Sequence, residues 1–196
     1  MIYLQKNLIL ASNSPRRRQL LTDAGFIFNV EVLPTDERFP DDLPSEEVAA
    51  YVSREKAEQF RGARPDSIVL TADTVVIAGN RILNKPADRD EAFEMLKNLS
   101  GASHKVITGI SLLADDRITT VSDHATVHFR DLEDWEITYY IDHYKPFDKA
   151  GSYGIQEWIG MVAIEKIEGS FYTIMGLPVQ VVYRLLQPYF IQQSHT

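Results

Sequence analysis

Ser67-Ile-Val-Leu-Thr-Ala-Asp-Thr-Val-Val-Ile77 is a near-continuous apolar run broken by one carboxylate. Its length and β-branched content predict a strand. The lack of apolar/polar alternation predicts a strand covered on both faces, as at the centre of an α/β sheet. Asp73 has to be accounted for. A buried carboxylate without a partner is costly, or it takes up a proton. Asp73 therefore has fixed partners, binds a metal, or lies at an opening of the core; a purely structural role also stays open.

Upstream, Leu8 to Ala11 reads as a second buried strand. Ser12, Asn13 and Ser14 form a tight connection into a helix from about Pro15 to Ala24. Ser14 can cap that helix, Pro15 suits its first position, and Gly25 supplies the stop. Arg16, Arg17 and Arg18 fill the first turn against the helix dipole, at about 0.3–1 kcal/mol each. The arrangement suggests that side chains and free N–H groups converge on an anion, most naturally a phosphate chain. A solvated basic patch, or pairing with acids elsewhere, stays open. Phe26 to Val32 alternates in part and predicts a strand. The loop Pro34–Glu37 carries Asp36 and Glu37, for which solvation is the simplest reading. Asp41 to Pro44 is a polar linker. Ser45-Glu46-Glu47 then opens a helix whose stripe is Ala49, Val52, Lys56 and Phe60. Lys56 stands where an apolar residue is expected. Pattern alone favours snorkelling; the other reading is a face bordering a cleft that needs positive charge.

Downstream, Ala78 to Arg81 is a turn, followed by Ile82 to Pro86. Asp88 and Glu91 have capping-box spacing for a helix through Ala92, Phe93, Leu96 and Leu99. His104 to Leu113 and Ile118 to Phe129 predict two strands joined by Asp115-Asp116. His124 and His128 lack a third ligand nearby and read as structural or surface residues. Asp131 is expected to cap a helix through Trp135 and Ile141. A polar loop, Asp142 to Ser152, leads into Gly151 and Gly154, where the backbone must bend or approach something closely. Ile159 to Ile167 predicts another strand, and Pro178 to about Phe190 the final helix, with a frayed tail to Thr196. Alternating strands and helices early, with paired strands in the middle, imply an α/β fold with a mixed sheet.

At 196 residues the chain fits one large domain or two small ones, and we expect a single one spanning 1–196. A net charge of −8 disfavours nucleic-acid binding through a basic surface and makes the local arginine cluster more informative. With no cysteine there is no disulfide framework, thiolate nucleophile or thiolate metal site, which suits a reducing cytoplasm. Met1 to Asn7 lacks a basic region followed by a long apolar stretch, so no signal peptide is expected. No apolar run approaches the roughly 18–20 residues that cross a membrane. Nothing fits Gly-x4-Gly-Lys-Ser/Thr, so any triphosphate must be held by side chains.

Ser12-x-Ser14-Pro15-Arg16-Arg17 with Leu20-Leu21, Arg54-Glu55-Lys56-Ala57, Ala72-Asp73-Thr74-Val75-Val76, Lys85-Pro86, Lys149-Ala-Gly-x-Tyr-Gly-Ile-Gln156, Glu168-Gly169-Ser170 and Met175-Gly-Leu-Pro178 follow one another along the chain. Together they resemble the Maf family of nucleoside triphosphate pyrophosphatases over essentially the whole length. The resemblance implies an elongated mixed β-sheet with flanking helices and a cleft between two lobes, a Maf/Ham1, ITPase-like arrangement. It implies hydrolysis of a nucleoside triphosphate to the monophosphate and pyrophosphate, with Asp73 as general base. Glu37 and Asp73 would hold a divalent metal, Mg²⁺ or Mn²⁺. Ser12, Arg16, Arg17, Lys56, Thr74, Lys85 and Gln156 would bind substrate. Gln156, with Arg16 and Thr74, fits the subgroup that uses dTTP and UTP. The partner is then a nucleotide in the cytoplasm, with no membrane and no stable nucleic-acid partner, and a homodimer is compatible. Three alternatives stay open: a 7-methyl-GTP pyrophosphatase, an inosine or xanthosine triphosphate pyrophosphatase, and a regulatory protein of cell division.

Overall fold

Strand β1 (Asn7–Leu10) lies parallel to β3 (Ser67–Ala78), with Leu8 opposite Ile68 and Leu10 opposite Leu70. All four side chains are buried, as two central strands covered on both faces require. The computed structural model describes residues 1–191; the tail expected to fray, 192–196, lies outside them. Among the described residues seven strands form one mixed sheet in the order β2-β1-β3-β5-β6-β7, with β4 (Arg81–Leu83) antiparallel to the end of β3. β5 (Ser103–Ala114) and β6 (Arg117–Phe129) form a hairpin. Its turn is the expected Asp115-Asp116 pair, both residues at positive φ, +51° and +60°. That is the handedness a two-residue hairpin turn demands. Lys6 holds Asp115 at 2.6 Å and Arg61 holds Asp116 at 2.9 Å.

Helix α1 (Pro15–Asp23) ends at Gly25, whose φ of +82° is the left-handed stop read from the sequence. The strand expected over Phe26–Val32 shrinks to β2 (Asn29–Val30), because Ile27, Val30 and Val32 face solvent and gain little by pairing. Helix α2 (Val48–Glu58) starts later than Ser45 and has no side-chain cap; 45–47 is a turn leading into it. Helix α3 (Arg89–Leu99) is capped by Asp88, which accepts from Glu91 N–H at 2.9 Å. The Glu91 carboxylate reaches Ala87 N–H. Helix α4 (Asp134–Tyr144) begins three residues after the expected cap Asp131. Glu136 turns back to accept from Glu133 N–H at 2.9 Å, and this local pairing defines the start. Ile159–Ile167 is half helix: α5 (Trp158–Ala163) precedes β7 (Ile164–Glu168). Ile159 and Ala163 are buried four residues apart while Met161 is exposed, a helical spacing that alternation conceals. After the short α6 (Phe171–Ile174), α7 (Val179–Leu186) gives way to a 3-10 turn over Gln187–Tyr189.

The chain forms two compact units, each assembled from separated segments. The first comprises Met1–Asp73, Thr108–Asp123 and the described residues from Gly176 onward; the second comprises Thr74–Ile107 and His124–Met175. In the first, Ile9, Val69, Ala57, Phe60 and Leu113 share a core. Its last segment returns to its first: Leu4 bridges Phe190, and Ile191 N–H donates to Tyr3 O at 3.0 Å. In the second, Val76, Leu96, Phe129, Ile137, Tyr140 and Ile155 belong to one core.

Candidate active site

Where β1 ends, Ala11 N–H still pairs with Leu70 O at 2.8 Å, and Ser12 is buried. The Ser12 hydroxyl accepts from Ser14 N–H at 3.2 Å and from Arg17 Nη1 at 3.3 Å. Ser14 caps α1 by accepting from Arg17 N–H. Arg17 also donates through Nε to Gly176 O at 2.7 Å. Gly176, at φ +98°, thus joins the Met175–Pro178 motif to the Ser12–Arg17 motif. Burial lowers the Arg17 pKa; the negative charges of Asp73 and Glu37 oppose that shift, and Arg16 adds to it. One field therefore couples Arg16, Arg17, Glu37 and Asp73.

Lys56 sits in the last turn of α2, with its ammonium 2.8 Å from Asp73 Oδ1 and 2.7 Å from Glu37 Oε1. The snorkelling favoured by the sequence pattern is overturned: the amine turns inward, and its side chain is 16% exposed, beside 18% for Asp73. A hydroxyl ladder joins the two elements that carry Lys56 and Asp73. Thr71 donates to Ser53 O at 2.6 Å, and Ser53 Oγ meets Ser111 Oγ at 3.0 Å. Thr71 and Asp73 share a strand face, and Ser53 and Lys56 share a helix face. The bond that docks α2 on β3 therefore also aims Lys56 at Asp73. Gly109 on β5 makes the approach possible, since a Cβ there would lie 2.3 Å from the Ala49 backbone.

Asp73 and Glu37 supply carboxylate oxygens of the kind a hard divalent ion takes. They do not make a protein-only cage: among the described residues no three His, Cys, Asp or Glu side chains converge on one point. His124 is exposed, and His128 bonds Ser103 Oγ through Nδ1 at 2.7 Å, so neither belongs to a ligand set.

In the second unit, Lys85 is exposed in the segment after β4. Its neighbour Asn84 accepts from Gly151 N–H at 3.2 Å. Gly151, at φ +69°, packs its α-carbon over Val76, which a Cβ would crowd at 3.0 Å. Thr74, Lys85 and the 149–156 motif thus belong to one unit, and Gln156 is exposed at the motif's end. The sequence reading missed what lies beneath that motif. His104 is buried and shares a 2.7 Å hydrogen bond with Tyr153 OH. Burial first, then the charge of His128, pushes the His104 pKa down to about 4. Lys149, nearly enclosed, pairs with Glu157 at 3.2 Å, and Tyr140 OH donates to the same carboxylate. Burial, then that hydrogen bond, holds the Tyr140 phenol above its usual pKa, so it stays a donor. The available signal was the 3-4 spacing of Ile137, Tyr140 and Ile141, which puts a hydroxyl on the buried stripe of α4.

The family model described as "Maf-like protein" matches residues 7–189, a span that takes in every residue of the candidate site. The chain belongs to the Maf family. A Maf relative from Bacteroides fragilis, named dTTP/UTP pyrophosphatase, is 47% identical over 182 residues, covering 92% of this chain and 94% of its own. Another of the same name, from Cytophaga hutchinsonii, is 44% identical over 184 residues, covering 94% and 84%. Among solved structures the Staphylococcus aureus Ham1 protein aligns with 64% of this chain and 73% of its own, at 14% identity and a TM-score of 0.46. That likeness is too slight to bear on fold or function. In this Maf chain no described helix is long and apolar enough to cross a membrane.

Proposed function

We propose that this chain hydrolyses dTTP and UTP to the monophosphate and pyrophosphate. Two relatives carrying that name match it over more than nine-tenths of its length, which supports the substrate pair. The observation that carries the chemistry is the Lys56 ammonium joined to both Asp73 and Glu37 beside the arginine-bearing start of α1.

Water attacks the α-phosphorus, a new P–O bond forms, and the bridge to the β-phosphate breaks with pyrophosphate leaving. Asp73 accepts the proton of the attacking water, with Lys56 holding one of its oxygens and so fixing the other's direction. Arg16, Arg17, Lys56 and Lys85 set positive charge against a triphosphate of about four negative charges, with Ser12 and Thr74 as hydroxyl partners. Arg17 is tied to Ser12 and Gly176, so its first service is to hold the loop that presents Arg16. Glu37 and Asp73 would hold Mg²⁺, or Mn²⁺ in its place. When bound, that ion neutralises charge on the phosphates. Gln156 reads the base. A neutral amide both donates and accepts, matching the N3–H and carbonyl edge of uracil or thymine. We read residues 1–196 as one Maf-like domain acting on the cytoplasmic nucleotide pool, and a homodimer is compatible with this chemistry.

The test is pyrophosphate release by the pure protein with Mg²⁺ across dTTP, UTP, CTP, 7-methyl-GTP, ITP and XTP. We expect dTTP and UTP to lead, and Gln156→Glu to change the ranking. A lead by 7-methyl-GTP, ITP or XTP would overturn the substrate assignment. Absence of turnover with every nucleotide would leave the cell-division reading in its place.

A further inference from the structure

The loop that ends in Gln156 is fixed from below by a phenol that no nucleotide need touch. Tyr140, on α4, is wholly buried. Its hydroxyl accepts from Gly154 N–H at 3.0 Å and donates to the Glu157 carboxylate. One oxygen thus binds the backbone two residues before Gln156 and the side chain one residue after it. Lys149 holds Glu157 from a second direction at 3.2 Å, and Ile155, buried between these points, plugs the loop into the core. Gln156 is the outward residue of this clamped segment. Its amide nitrogen lies against Gly154, where a Cβ would sit 2.9 Å from both Gln156 Nε2 and Glu157 Cδ. The amide, the glycine and the clamped carboxylate are packed side by side.

We propose that Tyr140 is a positioning residue for base discrimination: its hydroxyl fixes the chain on both sides of Gln156 and so fixes the direction of the amide. The inference rests on the reading of Gln156 as the base contact. Orientation matters because uracil and cytosine present opposite donor and acceptor groups on one edge. An amide held in one direction separates them, whereas an amide free to turn satisfies either.

Tyr140→Phe keeps the ring, which stacks on Tyr144 at 5.1 Å, and removes the oxygen. The experiment measures kcat/KM for UTP and CTP in the wild type, Tyr140→Phe, Gln156→Ala and the double variant. The UTP:CTP ratio cancels the concentration of folded enzyme, so simple loss of stability does not move it. Tyr140→Phe is expected to lower the ratio about 2- to 10-fold, the worth of a typical hydrogen bond. Gln156→Ala should lower it at least as far, and the double variant should match Gln156→Ala alone, because Tyr140 acts through Gln156. If Gln156→Ala lowers the ratio while Tyr140→Phe leaves it unchanged, the positioning role is overturned and the base contact stands. A further drop in the double variant overturns it as well, since Tyr140 would then act elsewhere. If Gln156→Ala leaves the ratio unchanged, the base contact fails and the inference fails with it.

Discussion

Around Lys56 the first unit has an ion cluster with one carboxylate open to solvent; around Tyr140 the second has an enclosed phenol set between a backbone N–H and the Glu157–Lys149 pair. Lys56 binds two carboxylates, one of which, on Glu37, is 57% exposed and belongs to an irregular loop. Tyr140 is wholly enclosed and bonds a backbone N–H, and His104 beside Tyr153 is kept neutral by burial. The difference follows what each must bind. An ammonium with two acidic partners can exchange one of them for a phosphate oxygen when substrate arrives, because ionic contacts near solvent are weakly directional. A base edge is distinguished by the direction of donors and acceptors, and direction is kept by short bonds in a dry, close-packed surrounding.

The sharpest way to break this comparison is Asp73→Asn. The amide keeps shape and a hydrogen bond but cannot take the proton, so kcat should fall about 10²- to 10⁴-fold while the protein stays folded. Steady-state kinetics beside a thermal melt checks both halves; near-normal turnover would remove Asp73 from the chemistry. Lys56→Met comes next. It removes a charge-assisted partner and leaves Asp73 and Glu37 facing each other, so kcat/KM should fall roughly 10- to 100-fold for UTP and CTP alike. A change in the UTP:CTP ratio would instead mean that the charged cluster also reads the base.

The remaining test concerns His104 and is read as stability against pH. Its pKa is about 4 in the fold and 6.5 as an unperturbed side chain, so the unfolded chain binds more protons between those values. Its stabilising contribution is therefore complete above about pH 6.5 and is lost progressively as pH falls toward 4. Urea unfolding from pH 7.5 to 4.5 should show this fall, and His104→Phe should flatten it. An unchanged slope would mean that other groups set the acid sensitivity of the fold.

Much of this was legible from the chain alone. The apolar run around Asp73 had to be a central strand, and Ser14-Pro15 had to begin a helix, because both signals are local and strong. The Asp115-Asp116 turn was placed by the hydrophobic runs on either side. Glu37, Lys56 and Asp73 entered as separate candidates; that one ammonium joins two carboxylates depends on the docking of α2 through Thr71 and Ser53, a contact between distant segments. Phe26–Val32 misled because alternation promises a strand only when one face is buried, and there both remain largely exposed. Asp131 misled because Glu133 and Glu136 form a better start a few residues on. Tyr140 stayed hidden because its neighbour Tyr139 is chemically identical in the sequence; only the helix phase separates the exposed ring from the buried one.

The return of the last segment to the first has a consequence for synthesis. Leu4 and Phe190 bridge, so the residues before β1 cannot gain this neighbour until nearly the whole described chain has been translated. A ribosome adding residues at roughly 5–20 per second separates these two by about ten to forty seconds. Throughout that interval Leu8 and Leu10 can already pair with β3 through Ile68 and Leu70, while Leu4 still lacks its partner near the end of the chain. Leu4 is therefore secured last, when the end of the described chain folds back on it.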